Sequence, residues 1–129
     1  MKINPFSHHE QALKLRAFRN EILSSNIANA DTPHYKARDF EFTSALREAG
    51  DDRLRLRRTS ELHQAARDAN GRPVDVKYRV PTQPTLDGNT VETDLEQARF
   101  AENTVRYRAS LSFLNGSING LRYAIKGGE

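Results

Sequence analysis

The sequence predicts a mainly α protein in which long N- and C-terminal helices form a coiled-coil-like bundle, with a small irregular β segment between them. Three observations predict this. An apolar stripe at helical spacing runs to about residue 30, a longer one with alternating steps of four and three begins near residue 94, and between them the period falls to two.

The first helix is expected over about residues 8 to 30. Ser7-His8-His9-Glu10 reads as a capping box that starts it. Leu15, Phe18 and Ile22 continue one stripe, and Leu23, Ile27 and Ala30 follow a second beside it, making a face wide enough to touch more than one neighbour. The exit of this helix is specified. Asn26 and Asn29 stand three apart on one face, where each can bond backbone left unpaired as the helix stops. Asp31-Thr32-Pro33 then forces the stop, because the pyrrolidine ring drives Thr32 out of the α region and Asp31 suits an Asx-turn.

In the central segment Val74, Val76, Tyr78 and Val80 alternate with Asp75, Lys77 and Arg79, the pattern of a half-buried strand ended by Pro81. Phe40 and Phe42, alternating with Asp39, Glu41 and Thr43, suggest a short partner strand. Residues 47–73 are polar and carry an Asn70-Gly71 turn signal; they read as mostly loop, with one or two helical turns over Ser60 to Asp68.

The second helix is expected over about residues 94 to 126, after a second capping box, Thr93-Asp94-Leu95-Glu96. Phe100, Thr104, Tyr107, Leu111, Leu114, Ile118, Leu121 and Ile125 form a coiled-coil seam, and Gly127 sits where a C′ glycine ends a helix. At 1.5 Å per residue it spans about 50 Å, more than the first helix can cover. Gly116 and Gly120, four apart beside Ser117, are either a thin patch for the backbone of a neighbouring helix or two tolerated glycines. The expected division is a terminal-helix domain of residues 1–33 and 90–129 and a central segment of residues 34–89.

Composition narrows the function. Only 36% of the 129 residues are hydrophobic, too few for a large core. Twenty basic against 17 acidic residues leave a net charge of +3, too small and too interspersed to argue for nucleic acid or an anionic membrane surface as partner. The absence of cysteine excludes disulfides and thiolate metal sites. No stretch approaches the ~18 apolar residues of a membrane span, and the N-terminus has no apolar h-region, so neither lipid insertion nor a cleaved signal peptide is expected.

Catalytic chemistry finds no motif. His8 and His9 are adjacent and point about 100° apart on a helix, which does not chelate one ion. Asp51-Asp52 reads as a solvated pair in a polar loop. Arg53-Leu54-Arg55-Leu56-Arg57-Arg58 is the sharpest basic cluster, but over residues 48–58 four Arg less Glu48, Asp51 and Asp52 leave +1, and no aromatic is interleaved for base stacking. It reads as a solvated or subunit-contacting edge. No catalytic residue, cofactor or metal is expected.

The run Ser24-Ser25-Asn26-Ile27-Ala28-Asn29-Ala30-Asp31-Thr32-Pro33-His34-Tyr35 resembles the end of the N-terminal helix in the bacterial flagellar axial (rod and hook) proteins, S-x-N-I-A-N-x-x-T-P-x-Y. Tyr78-Arg79-Val80-Pro81 through Leu86-Asp87-Gly88-Asn89-Thr90-Val91 is most similar to proximal-rod members of that family. The resemblance covers most of residues 12–126 and weakens between about Ala45 and Asp75. One departure is His34, where the family often has Gly. If Gly serves there to reach positive φ, His must adopt that conformation at some cost, or the turn is built differently.

The resemblance implies a structural subunit that polymerises through its terminal helices into a tubular shaft around an export channel. It implies a periplasmic rod location in the flagellar basal body and export without a cleaved signal. The implied partners are copies of the chain, other flagellar rod proteins, the membrane-ring/rod junction protein and the export gate. The assembly residues expected are Leu15, Phe18, Ile22, Asn26, Ile27, Asn29, Thr32 and Pro33 at the first helix and its exit. On the second helix they are Phe100, Tyr107, Leu111, Leu114, Gly116, Ile118, Gly120, Leu121 and Ile125. Two other classes share parts of this pattern. A monomeric coiled-coil adaptor or export chaperone would be soluble and ordered alone, and a nucleic-acid binder using the Arg cluster would lose affinity steeply with salt.

Overall fold

The computed structural model describes residues 5–50, 66–67 and 73–127. In chain order the elements are α1 (Ser7–Ala28), β1 (Arg38–Asp39), α2 (Phe42–Gly50), β2 (Ala66–Arg67), β3 (Pro73–Val74), β4 (Lys77–Tyr78) and α3 (Thr93–Ile125). The two long helices run antiparallel. Asn26 meets Glu96, Asn20 meets Thr104, and His9 lies 5.0 Å from the Phe113 ring, so positions descend α3 as they climb α1. Because His9 is already level with Phe113, α3 runs past the first turn of α1 beyond about residue 116.

A small core forms where the central segment folds against α1. Leu15, Phe40 and Val74 are buried there, with Phe18, Ile22, Phe42, Ala45, Leu46, Ala49 and Val76 packed around them. Phe18 stacks on Phe40 with ring centroids 5.6 Å apart. β1 pairs antiparallel with β4, Arg38 opposite Tyr78 and Asp39 opposite Lys77, and β2 pairs antiparallel with β3.

Several expectations are corrected. Ser7 and Thr93 are the first helical residues, with Phe6 and Glu92 at the N-cap positions and no side-chain cap bond at either helix. Glu96 cannot complete a box, because it is drawn inward to Asn26 and Arg79. The continuous strand is broken: the Val76 N–H bonds back to the Val74 carbonyl at 3.0 Å, splitting the run into β3 and β4. Val74 is buried and Val76 half-buried, but Tyr78 and Val80 face solvent.

The partner strand is Arg38–Asp39, and Phe42 opens a helix that was expected as strand and loop. Phe42, Ala45, Leu46 and Ala49 recur at i, i+3, i+4 and i+7, so burying all four against α1 requires the 3.6 period. Ala66–Arg67 is extended where a helical turn was expected. The rest of Ser60 to Asp68, the Asn70-Gly71 turn, Asp51-Asp52 and the cluster at Arg53 to Arg58 lie outside the described residues. The expected glycine stop holds, Gly127 following α3 at φ 75°, and of the two alternatives at His34 the structure takes the first, with φ 61°.

Candidate assembly site

The exit of α1 is held by two buried amides on different elements. Asn26 is fully buried, and its amide nitrogen donates to the Arg38 carbonyl at 2.6 Å and to Glu96 Oε2 at 3.1 Å. Its Oδ1 accepts the Arg38 N–H at 3.1 Å, so one side chain satisfies both backbone groups of Arg38 as a neighbouring strand would. Asn29, by contrast, is half-buried and bonded locally, donating to the Ser25 carbonyl at 2.8 Å and accepting from the Thr32 hydroxyl at 3.1 Å.

The carbonyls released at the exit are collected by Asn89. Its amide nitrogen lies 3.0, 2.8 and 2.8 Å from the carbonyl oxygens of Asn29, Ala30 and Thr32, and its Oδ1 accepts the Val91 N–H at 2.7 Å. The flanking chain follows the same course. His34 N–H donates to the Asp87 carbonyl, Thr90 N–H to the Tyr35 carbonyl, and Ala37 N–H to the Thr90 hydroxyl. Gly88, at φ 74°, is required here twice over, since a Cβ on it would stand 2.8 Å from Nδ1 of His34. The Asn89 N–H, held at 3.1 Å, keeps the exposed Asp87 carboxyl below the ordinary carboxylate range.

Beside the exit lies an ionic node. Arg19 forks onto both oxygens of Asp39 at 3.0 Å, Arg79 joins the same carboxylate, and Arg99 stands 3.6 Å away. Burial raises the Asp39 pKa, but the Arg19 fork, the Phe40 N–H and the Arg79 charge together outweigh it and leave the carboxyl below its ordinary value. Arg79 also meets the fully buried Glu96. The node therefore ties α1, β1, the segment after β4 and α3 together at one point. Desolvation offsets much of the attraction in a buried ion pair, so its net stabilisation is small, whereas removing one partner is costly.

The expected assembly residues divide into three groups. Leu15 is buried in the core, with Phe18 and Ile22 packed against it. Asn26 and Asn29 form the exit with half-buried Ile27 and exposed Thr32 and Pro33. On α3, Phe100, Tyr107, Leu114 and Ile118 are half-buried, whereas Leu111, Gly116, Gly120, Leu121 and Ile125 are exposed. A Cβ at Gly116 or Gly120 would meet nothing within 4 Å, so no described part of this chain approaches that patch. Leu121 and Ile125 are 46% and 77% exposed, with Phe113 and Tyr123 exposed beside them.

Sequence reasoning missed Asn89, Glu96, Asn103, Asp39 and Arg79. The fully buried positions of α3 are the polar Glu96 and Asn103, seven apart, and the Asn103 amide donates to the Arg16 carbonyl and to Asn20 Oδ1, both at 2.8 Å. A search for an apolar seam passes over such residues. The heptad spacing of Glu96 and Asn103 was the available signal; for Asn89, inside a turn-like Asp-Gly-Asn-Thr run, there was none.

Comparison with known proteins bears on the same regions. The family described as "Flagella basal body rod protein" matches residues 6–36, which span α1 and its exit. The chain is similar to the flagellar basal body rod protein FlgB of Cereibacter sphaeroides, 54% identical over 119 residues, covering 92% of this chain and 91% of the relative. It is similar also to FlgB of Salmonella typhimurium, 45% identical with 93% and 91% covered, and to FlgB of Proteus mirabilis, 40% identical with 97% and 96% covered. Identity of this level along nearly the whole length, with the family's pattern falling on the helix exit, shows that the chain belongs to the flagellar basal body rod protein family.

Proposed function

We propose that this chain polymerises through α1 and α3 into a tubular shaft that encloses an export channel and transmits torque without turnover chemistry. Family membership supplies the coarse function, a structural subunit of the flagellar basal body rod located in the basal body. The finer reading places it in the periplasmic rod beside copies of itself and other rod proteins, next to the membrane-ring junction protein and the export gate. It leaves the cell without a cleaved signal.

In this reading residues 1–33 and 90–129 build the shaft wall, and residues 34–89 brace the helix exit. The observation that carries it is the overhanging end of α3, where Leu121 and Ile125 remain uncovered in a chain with little apolar surface to spare. Such a stripe needs a neighbour. Leu121→Asp and Ile125→Asp leave the single-chain fold untouched but place a charge in the interface between subunits. Cells carrying either variant are expected to export the subunit and yield no basal-body rod; normal rods would overturn the reading.

A further inference from the structure

An open cleft of about 470 Å³ lies between α1, the β1–β4 ribbon and α3, and its walls are strongly cationic. Arg16, Arg19, Lys77, Arg79, Arg99 and Arg106 face it, against the carboxylates of Asp39 and Glu41. Most of these cations have a partner. Asp39 serves Arg19, Arg79 and Arg99; Glu96 serves Arg79; Glu102 reaches Arg106 at 2.6 Å and Asp75 reaches Lys77 at 3.4 Å. Arg16 has no ion pair among the described residues. Its guanidinium carbon sits 4.0 Å over the Phe42 ring, and its Nε is buried without a hydrogen-bond acceptor. Burial first, then the charges of Arg106 and Arg19, push its pKa down, with the charge of Glu102 opposing them. The cleft is short of one carboxylate.

A groove of opposite sign adjoins it across Glu41 and Lys77. That groove, about 160 Å³, is lined by Glu41, Glu48 and Asp75, with Lys77 the one cation among the described residues. Glu48, in the last turn of α2, is exposed and takes no ion pair among the described residues. A guanidinium and a carboxylate on different surfaces, each without an ion pair among the described residues, give a chain two faces that complement each other between copies.

We propose that the cationic cleft receives α2 of a second copy of this chain, with that copy's Glu48 supplying the carboxylate that Arg16 lacks. The inference rests on the rod-subunit reading in one respect, that copies stand side by side. Arg16 then gains a charge-assisted bond to a planar acceptor in a partly dehydrated cleft, where such pairs are strongest. The contact joins unlike surfaces, so in an assembly that does not close it repeats from copy to copy.

The chain contains no cysteine, so introduced thiols report proximity without background. Arg16→Cys and Glu48→Cys, carried on separate copies in the same cell, are expected to give a dimer cross-linked by a short bis-maleimide, whose arm spans the reach of an Arg–Glu pair, in isolated basal bodies only when both are present. Charge reversal is the second measurement. Arg16→Glu and Glu48→Arg should each lower rod recovery on the order of tenfold or more, and the two reversals in one chain should restore it. Because Glu48 is exposed, loss of assembly in Glu48→Arg does not come from misfolding. Basal bodies that contain the chain but give no dimer, or reversals that do not rescue each other, would overturn this contact and leave the rod reading standing. Absence of the chain from basal bodies would overturn the rod reading itself.

Discussion

Asn26 on α1 donates to the carboxylate of Glu96 on α3 at 3.1 Å, and both side chains are fully buried. The long helices thus meet, at the end where the central segment joins them, through a polar contact in place of an apolar one. Glu96 is held from its other side by Arg79, which in turn meets Asp39. A contact of this kind has one satisfied arrangement, so it sets the register of α1 against α3 more sharply than interchangeable leucines would.

Asn26→Leu keeps the branching at Cγ and strands the Arg38 carbonyl, the Arg38 N–H and one oxygen of Glu96. At about 1 to 3 kcal/mol for a stranded buried group, the variant should lose at least about 3 kcal/mol. The check is the urea midpoint at unchanged slope. A loss below about 0.5 kcal/mol would show that water reaches these groups and that the contact does not fix the helices.

Acid should weaken the fold through the ionic node. The folded pKa of Asp39 lies below its unfolded value, so its contribution is complete above the ordinary carboxylate pKa of about 3.9 and is lost as pH falls through the lower folded value. Stability of the wild type should therefore drop more steeply below about pH 4 than that of Asp39→Asn, which should already be weaker at neutral pH because Arg19 and Arg79 lose their anion. Parallel acid limbs for the two proteins in chemical denaturation would remove Asp39 from the account.

What was legible in the sequence is the part governed by local periodicity. α1 and α3 fall within two residues of their expected bounds, and Gly127 stops α3, because apolar spacing and a positive-φ glycine are local signals. The helix caps were misread because Glu96 was claimed by partners distant in sequence, Asn26 and Arg79, which no four-residue motif reveals. α2 was misread because Phe40 and Phe42 share a two-residue period with a strand, while the core takes Phe42 together with Ala45, Leu46 and Ala49. At the helix exit Asn26 was legible as a buried bonding group, but Asn89, about sixty residues on, was not.

Amide exchange should follow burial along α3. The half facing α1, around Glu96, Phe100 and Asn103, is covered, whereas Leu121, Tyr123 and Ile125 are exposed on a free helix end. In the isolated chain the amides beyond about residue 116 should exchange fast and those of residues 97–107 should be protected, because a helix without packing frays. Uniform protection to residue 125 would mean that the overhang is covered in the free chain, which is the adaptor expectation.

The last prediction concerns which amide holds the exit of α1. Asn29 is half-buried, and its bonds to Ser25 and Thr32 lie within one turn, where water can replace them, so Asn29→Leu should cost no more than about 1 kcal/mol. Asn89 is 3% exposed and serves the carbonyls of Asn29, Ala30 and Thr32 together with the Val91 N–H. Asn89→Leu strands the Ala30 carbonyl and the Val91 N–H, while the Asn29 and Thr32 carbonyls keep the N–H groups of Thr32 and Tyr35, and it should cost more than Asn29→Leu, at about 1 to 3 kcal/mol for each stranded group that water cannot reach. Asn89→Asp is the sharper variant: it keeps the shape and the acceptor for Val91 but replaces the donor with a negative oxygen facing three carbonyls. Hydrophobic replacement would then be the milder injury of the two. Stability by urea titration and protection of the Thr32 and His34 amides are the measurements. If Asn29→Leu proved more damaging than either Asn89 variant, the exit would be held from within α1, and the segment from Thr85 to Val91 would be a passive loop lying against it.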